Sequence, residues 1–198
     1  SDELIEIQIA SDDDEIMIAS AEGQAVRFDC SDARATGRDT MGVKAMTLND
    51  GDRVVSMAVV RPGDRLLTVT ENGYGKISDV DSYRKTRRGG KGVITIKTDE
   101  RNGKVVGVRK VDAGDQLMLT TTSGKTIRMD ADEIRETGRN AKGVRIIDAR
   151  DGDKVIAVEP VMSEEQEQEI EEAAPSEPVA VPEIEDIGID DTGGGDGG

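Results

Sequence analysis

Five cations crowd into eight residues near the middle of this 198-residue chain: Arg84, Lys85, Arg87, Arg88 and Lys91, with no acid among them. Gly89, Gly90 and Gly92 interleave them. Guanidinium forks grip phosphate oxygens through paired N–H bonds, and glycines let a backbone come close to a ligand and aim its own N–H groups at it. The chemistry open to such a segment is electrostatic capture of a polyanion, not bond-making. Thinner versions lie on either side: Arg34, Arg38 and Lys44 before it, and Arg135, Arg139, Lys142 and Arg145 after it. Arginine outnumbers lysine 16 to 10, as phosphate recognition favours.

What must position these cations is a threefold repeat. Asp14, Asp64 and Asp115 are 50 and 51 residues apart, and so are Gly23, Gly73 and Gly124, Arg38, Arg88 and Arg139, and Gly42, Gly92 and Gly143. Self-similarity at this period marks an array of one supersecondary unit whose apolar face is buried only beside its neighbours. Within each unit the residues alternate with period two, the signature of strands. Ile16 and Ile18 share a face with Val26 and Phe28; Leu66 and Thr68 are followed by Tyr74 and Lys76 around Asn72-Gly73; Leu117 and Leu119 precede Thr126 and Arg128 around Ser123-Gly124. Third strands are predicted over 43–48, 93–97 and 144–148, and fourth strands over 54–60, 105–111 and 155–160.

Four short antiparallel strands in about 50 residues is the cadence of a propeller blade. The expected fold is therefore all-β, a partial β-propeller or β-pinwheel with blades at 11–61, 62–111 and 112–162. Residues 1–10 align with the stretch beginning at Asp52 and read as the last strand of a preceding blade, so the chain is expected to be a fragment with further blades upstream. A solvated loop is the ordinary fate of one cationic, glycine-bearing segment. Three copies in phase argue instead for a curved cationic rim that follows the backbone of duplex DNA, with contacts that position but do not read sequence.

Composition limits the alternatives. The formal charge of −16 is unevenly spread: 163–198 holds 13 acids and no Lys or Arg, which leaves 29 acids against 26 bases, net −3, over 1–162. That last segment, with its prolines and terminal glycines, predicts a disordered acidic tail. It is a candidate competitor for the cationic rim, or simply a solubilising extension. One cysteine, Cys30, and no histidine argue against a disulfide framework and against a zinc or haem site. No apolar run approaches the ~18 residues of a membrane span, and the start lacks a signal-peptide pattern, which predicts a cytoplasmic protein with no membrane partner. With one Phe, two Tyr and no Trp, the chain has almost no platforms on which single-stranded bases could stack.

Nothing in the chain predicts catalysis. Cys30 lacks a histidine to activate it, and Tyr83, beside the cations, reads as a loop residue packed over its blade. The acids at 12–14 and 99–100 sit in turns where carboxylates cap backbone N–H groups. No Walker segment or dinucleotide fingerprint occurs.

Taken with the stretches Ser20-AEGQAVRF, Thr70-ENGYGK, Arg101-NGKVVG and the Thr-Gly-Arg…Gly-Val element at 36–43 and 137–144, the chain resembles the C-terminal DNA-wrapping domain of the DNA gyrase A subunit, a type IIA topoisomerase. The resemblance covers residues 1 to about 161 and extends to the acidic tail. It implies a six-bladed pinwheel in which neighbouring blades exchange a strand, of which this chain would hold the last strand of the third blade and the fourth to sixth blades. It also implies duplex DNA wrapped on a basic rim in support of ATP-driven negative supercoiling. The family's box, Gln-Arg-Arg-Gly-Gly-Lys-Gly, belongs to the first blade; Thr86-RRGGKG matches it at six of seven positions in a later blade, which leaves open whether this copy does the box's work. No cofactor is implied for this stretch. ATP and magnesium belong elsewhere in the enzyme, whose implied partners are duplex DNA, the rest of the A subunit and the B subunit in a heterotetramer. Two alternatives stand beside this reading: the matching domain of topoisomerase IV, and a propeller that binds other proteins.

Overall fold

Each repeat opens with a hairpin whose two strands alternate in phase and meet at a glycine. The computed structural model describes residues 3–37, 39–149 and 152–161. The first repeat forms β1 (Glu15–Ser20), β2 (Gln24–Asp29) and β3 (Val54–Val60). The second forms β4 (Arg65–Thr70), β5 (Tyr74–Asp79), β6 (Val93–Ile94) and β7 (Val105–Val111). The third forms β8 (Gln116–Thr121), β9 (Thr126–Asp130), β10 (Val144–Arg145) and β11 (Val155–Val161). A 3-10 turn follows each hairpin, at Cys30–Asp32, Val80–Ser82 and Ala131–Glu133. The tail predicted over 163–198 lies outside the described residues, as does Arg38.

The sheets do not coincide with the repeats. Their strand orders are β3-β1-β2-β6, β10-β5-β4-β7 and β11-β8-β9. The outer strand of each four-stranded sheet therefore comes from the repeat that follows it. Val93 pairs with Ala25 and Ile94 with Gln24; Val144 pairs with Gly75 and Arg145 with Tyr74. The periodicity places these strands within their own repeats, and the exchange corrects it. The strands are also shorter than predicted, and residues 43–48 form none. A strand exists only where a ladder of backbone bonds defines it. Residues 3–10, predicted as a strand, likewise carry no strand bonds. They run beside β3, held by side chains: Glu6 accepts from the Met57 N–H at 3.0 Å, and Gln8 from the Val59 N–H at 2.9 Å.

Stacking buries both faces of the hairpins, beyond the single apolar face the alternation suggests. All six positions of β1 are buried. Met17, Ala19, Ala25 and Val60 meet Leu66, Val80, Tyr83 and Val108 between the first and second sheets. Leu67, Val69, Ile77 and Val111 meet Leu117, Leu119, Ile134 and Val158 between the second and third. On the far side of the first sheet Ile16, Ile18, Val26 and Phe28 pack on Met46 of the segment 43–48.

Candidate nucleic-acid interface

The cationic segments are straps that run from one repeat onto the sheet of the repeat before it. The second strap is fixed at its start by the Thr86 N–H, which donates to the Arg27 carbonyl at 2.8 Å, and further on by the Thr95 N–H to the Gly23 carbonyl at 2.8 Å. The third copies it, from Thr137 to the Ile77 carbonyl at 2.8 Å and from Ile146 to the Gly73 carbonyl at 2.8 Å. Gly92 and Gly143 adopt φ of +79° and +78° there, and a Cβ on either would lie under 3.0 Å from a backbone carbonyl, of Ala25 and of Gly75 respectively. The close approach these glycines permit is thus to a neighbouring strand. Gly89 and Gly90 have more room above them. Their backbone also holds the first strap, through the Gly89 N–H to the Ala45 carbonyl (2.5 Å) and the Thr47 N–H to the Gly90 carbonyl (2.8 Å).

The predicted cations divide into three groups by their partners. Arg88 and Arg139, in phase in the sequence, are also in phase in space. Arg88 donates to the carbonyls of Asp32 (2.9 Å) and Lys44 (3.2 Å), and Arg139 to those of Ser82 (3.2 Å) and Ile94 (2.5 Å), one repeat later at both acceptors. These guanidiniums clamp each strap to the 3-10 turn of the repeat before it and to the preceding strap. Lys85, Lys142 and Arg145 have carboxylate partners: Asp29 at 2.8 Å with Glu15 at 3.3 Å, Asp99 at 2.6 Å, and Asp148 at 3.1 Å. The Asp29 and Glu15 carboxylates push the Lys85 ammonium above its ordinary pKa, and Lys142 holds the Asp99 carboxyl below its own. Arg34, Lys44, Arg84, Arg87, Lys91 and Arg135 form the third group, exposed and without a side-chain partner among the described residues.

Within that third group Arg34, Arg84 and Arg135 are 50 and 51 residues apart, and each stands two residues past a 3-10 turn. They are the uncompensated cations that recur once per repeat. Arg87 and Lys91 add to them on the second strap, and Lys44 lies beside Arg88, whose bonds bring the two straps together. Arg101, which the spacing did not single out, joins the cationic surface at the other end of the second sheet. Its guanidinium sits 4.2 Å from the centroid of the Tyr74 ring, with Arg145 at 5.5 Å from the same ring and 3.0 Å from its hydroxyl. Arg145, and Arg101 after it, lower the Tyr74 hydroxyl's pKa. The signal for Arg101 was Tyr74, an aromatic at the strand edge in a chain with almost none.

Beneath the third strap lies a buried lysine. Lys76 is fully buried, and its ammonium donates to the Ser78 hydroxyl (2.7 Å) and to the strap carbonyls of Gly138 (3.2 Å) and Arg139 (2.7 Å). With no carboxylate beside it, burial first and then the nearby Arg139 charge bring its pKa down to about 8. Tyr83 is also buried, where its hydroxyl meets that of Thr95 at 2.6 Å, and burial pushes its pKa up. The acidic turns behave as caps: Asp14 accepts from the Ser11 N–H and hydroxyl and from Arg61, which lower its pKa to about 2. Among the described residues no group of three or more acids or cysteines could hold a metal ion.

Stacked antiparallel sheets, with the second and third repeats each handing one strand to the sheet before and carrying cations on the strap that makes the exchange, define a β-propeller of the pinwheel kind. The model of the DNA gyrase C-terminal domain, beta-propeller, matches residues 14–61, 64–112 and 115–162, and the chain belongs to this family. The chain is 41% identical over 188 residues to the DNA gyrase A subunit of Escherichia coli K12, covering 93% of this chain and 22% of that protein. It is 49% identical over 142 residues to the DNA gyrase A subunit of Fibrobacter succinogenes, covering 72% of this chain and 16% of that protein. The chain thus spans about a fifth of the length of these curated relatives. Among solved structures it is similar to a DNA gyrase A C-terminal domain, with a TM-score of 0.70 at 32% identity over 76% of this chain and 51% of that one. It shares its fold with the C-terminal domain of DNA topoisomerase IV, with a TM-score of 0.75 at 24% identity over 82% of this chain and 51% of that one.

Proposed function

We propose that this chain is the non-catalytic DNA-binding and DNA-wrapping region of a gyrase A subunit, which bends duplex DNA around the cationic straps in support of ATP-dependent negative supercoiling. The observation that carries this reading is the register of Arg34, Arg84 and Arg135, one uncompensated arginine per repeat at one structural position, reinforced by Arg87 and Lys91. Successive sheets then offer phosphate contacts at regular intervals, and each contact releases a condensed counterion. Arg88 and Arg139 act one step back: by clamping the straps they fix where the free cations stand. Cleavage and ATP turnover belong to other parts of the enzyme, in the A and B subunits. The sequence likeness to gyrase A, beside a likeness to topoisomerase IV in fold, favours the gyrase assignment over its relative.

The test is duplex DNA affinity as a function of salt for the parent chain and two triple variants. Replacing Arg84, Arg87 and Lys91 by Ala is expected to lower affinity and to reduce the log–log salt slope by about 0.9 for each phosphate no longer engaged. Replacing the carboxylate-paired Lys85, Lys142 and Arg145 is expected to change the slope less. Equal slopes for the parent and the first variant, with folding intact, would remove the straps from the DNA interface.

A further inference from the structure

Where the third strap crosses the hairpin of the second repeat, two guanidiniums share one aromatic ring. Arg145 of β10 lies directly across the ladder from Tyr74 of β5 and donates to its hydroxyl at 3.0 Å. Arg101 comes from the turn before β7, sits 4.2 Å from the ring centroid and donates to the Gly143 carbonyl at 3.4 Å. That turn is pinned on two sides. The Asn72 side-chain amide donates to the carbonyls of Glu100 (3.1 Å) and Arg101 (3.2 Å), the Asn102 side-chain amide donates to the Lys142 carbonyl (3.0 Å), and Asp99 pairs with the Lys142 ammonium. The junction before it is built differently. There Gln24 and Ile94 take the places of Tyr74 and Arg145, and counting back from Val54, Val105 and Val155 puts Asp50, and Asp151 in the third repeat, in the place of Arg101.

Bringing two cations together costs free energy, and the groups around them offset only part of it. Arg101 has no carboxylate partner among the described residues, and Asp148 meets Arg145 in an exposed ion pair, a kind that contributes little. The ring attracts both guanidiniums and leaves their planar forks little rotamer freedom to lose on binding. Arg145, and Arg101 after it, hold the Tyr74 hydroxyl below its ordinary pKa, so the field at this point is positive before a ligand arrives. We propose that Arg101, Tyr74 and Arg145 form one phosphate site, in which both guanidiniums engage a single phosphate of a duplex crossing the second sheet. The site deepens the proposed role in DNA binding and rests on it. Both arginines are exposed, which suits a phosphate carried by an extended polymer. Arg101 covers a face of the ring, so Tyr74 does not offer that face to an unpaired base, and a duplex is favoured over a single strand.

The experiment is duplex DNA affinity against salt for the whole 198-residue chain, for Arg101→Gln and Arg145→Gln, and for the two together. Circular dichroism and melting confirm that each variant folds. Two arginines on one phosphate act as a unit, so their effects do not add. Each single variant is expected to bind more weakly, and the pair to lose about 0.9 of log–log slope in all, which is about eightfold in affinity near about 0.1 M salt. A loss of about 1.8 for the pair puts the arginines on separate phosphates and overturns the shared site. An unchanged slope for the pair, while the Arg84, Arg87 and Lys91 triple lowers it, overturns the site and leaves the role in DNA binding standing; unchanged slopes for both remove the two together. A second arm replaces Tyr74 by Leu, which keeps both charges and takes away what aligns them. Weaker duplex binding with a smaller change of slope supports the site. Affinity equal to the parent's overturns it, as does a loss greater for single-stranded than for duplex DNA, which would make the ring a platform for bases.

Discussion

The second and third straps are docked by the same bonds, yet they rest on different floors. Beneath the second, at the position of Lys76, stands Val26, among Ile16, Ile18 and Phe28. Beneath the third, five positions that are apolar in the other two repeats have become Thr68, Lys76, Ser78, Tyr83 and Thr95. Their counterparts are Ile18, Val26, Phe28, Ala33 and Ala45 in the first repeat, and Leu119, Ile127, Met129, Ile134 and Ile146 in the third. All five are joined by hydrogen bonds: Lys76 to Ser78, and Thr95 to both Thr68 and Tyr83. The difference teaches that a strap needs a matching edge and a cleared backbone path, whereas its floor can be oily or polar provided each buried polar group finds a partner. The polar floor adds something an apolar one cannot: donors aimed at the strap's own carbonyls.

The largest effect should come from blocking the backbone path that both straps share. Gly92→Val or Gly143→Val drives a side chain into a carbonyl at positive φ, and about 3 kcal/mol or more of unfolding free energy should be lost in denaturant titration. Gly42→Val, in open space, should cost about 1–2 kcal/mol from its backbone angle alone. Should the three prove equal, the straps at 92 and 143 do not press against those carbonyls.

Removing the clamps should come next. Arg88→Met and Arg139→Met each delete two charge-assisted bonds to carbonyls at the surface, with an expected cost of about 1–2 kcal/mol. The salt slope of DNA binding should move less for either than for the Arg84, Arg87 and Lys91 triple. A slope change as large as the triple's would make the clamps direct phosphate ligands and erase the division between holding and binding cations.

The smallest effect is a pH dependence confined to the polar floor. Burial lowers the Lys76 pKa from 10.5 to about 8, so between those values the unfolded chain binds more protons than the folded one. Stability attributable to this group therefore rises with pH from about 8 toward 10.5, and none of that rise remains to be gained above the unfolded value. Lys76→Met should flatten the rise in melting temperature across this window. A variant whose profile parallels the parent's would mean that the ammonium is solvated and the floor is wetter than its burial indicates.

Much of this was legible in residue types. The phase of each hairpin, the glycines at 42, 92 and 143 and the segregation of acid into the tail follow from spacing alone. The polar floor left a trace as well, because Thr68 and Lys76 occupy the phase that Ile18 and Val26 occupy in the first repeat. Arg88 and Arg139 were harder. In sequence they cannot be told from Arg34, Arg84 and Arg135, since a guanidinium seeks a phosphate oxygen and a carbonyl oxygen with the same fork, and only the neighbouring strap decides which is within reach.

The sequence by itself determined the repeat, the in-phase strands and the places where a backbone can pass close to another. Which sheet each third strand joins was decided only by tertiary structure. Ladder bonds link backbone to backbone and carry almost no imprint of residue type, so 43–48, 93–97 and 144–148 look alike in sequence. Val93–Ile94 and Val144–Arg145 become strands because the edges of β2 and β5 stand opposite them.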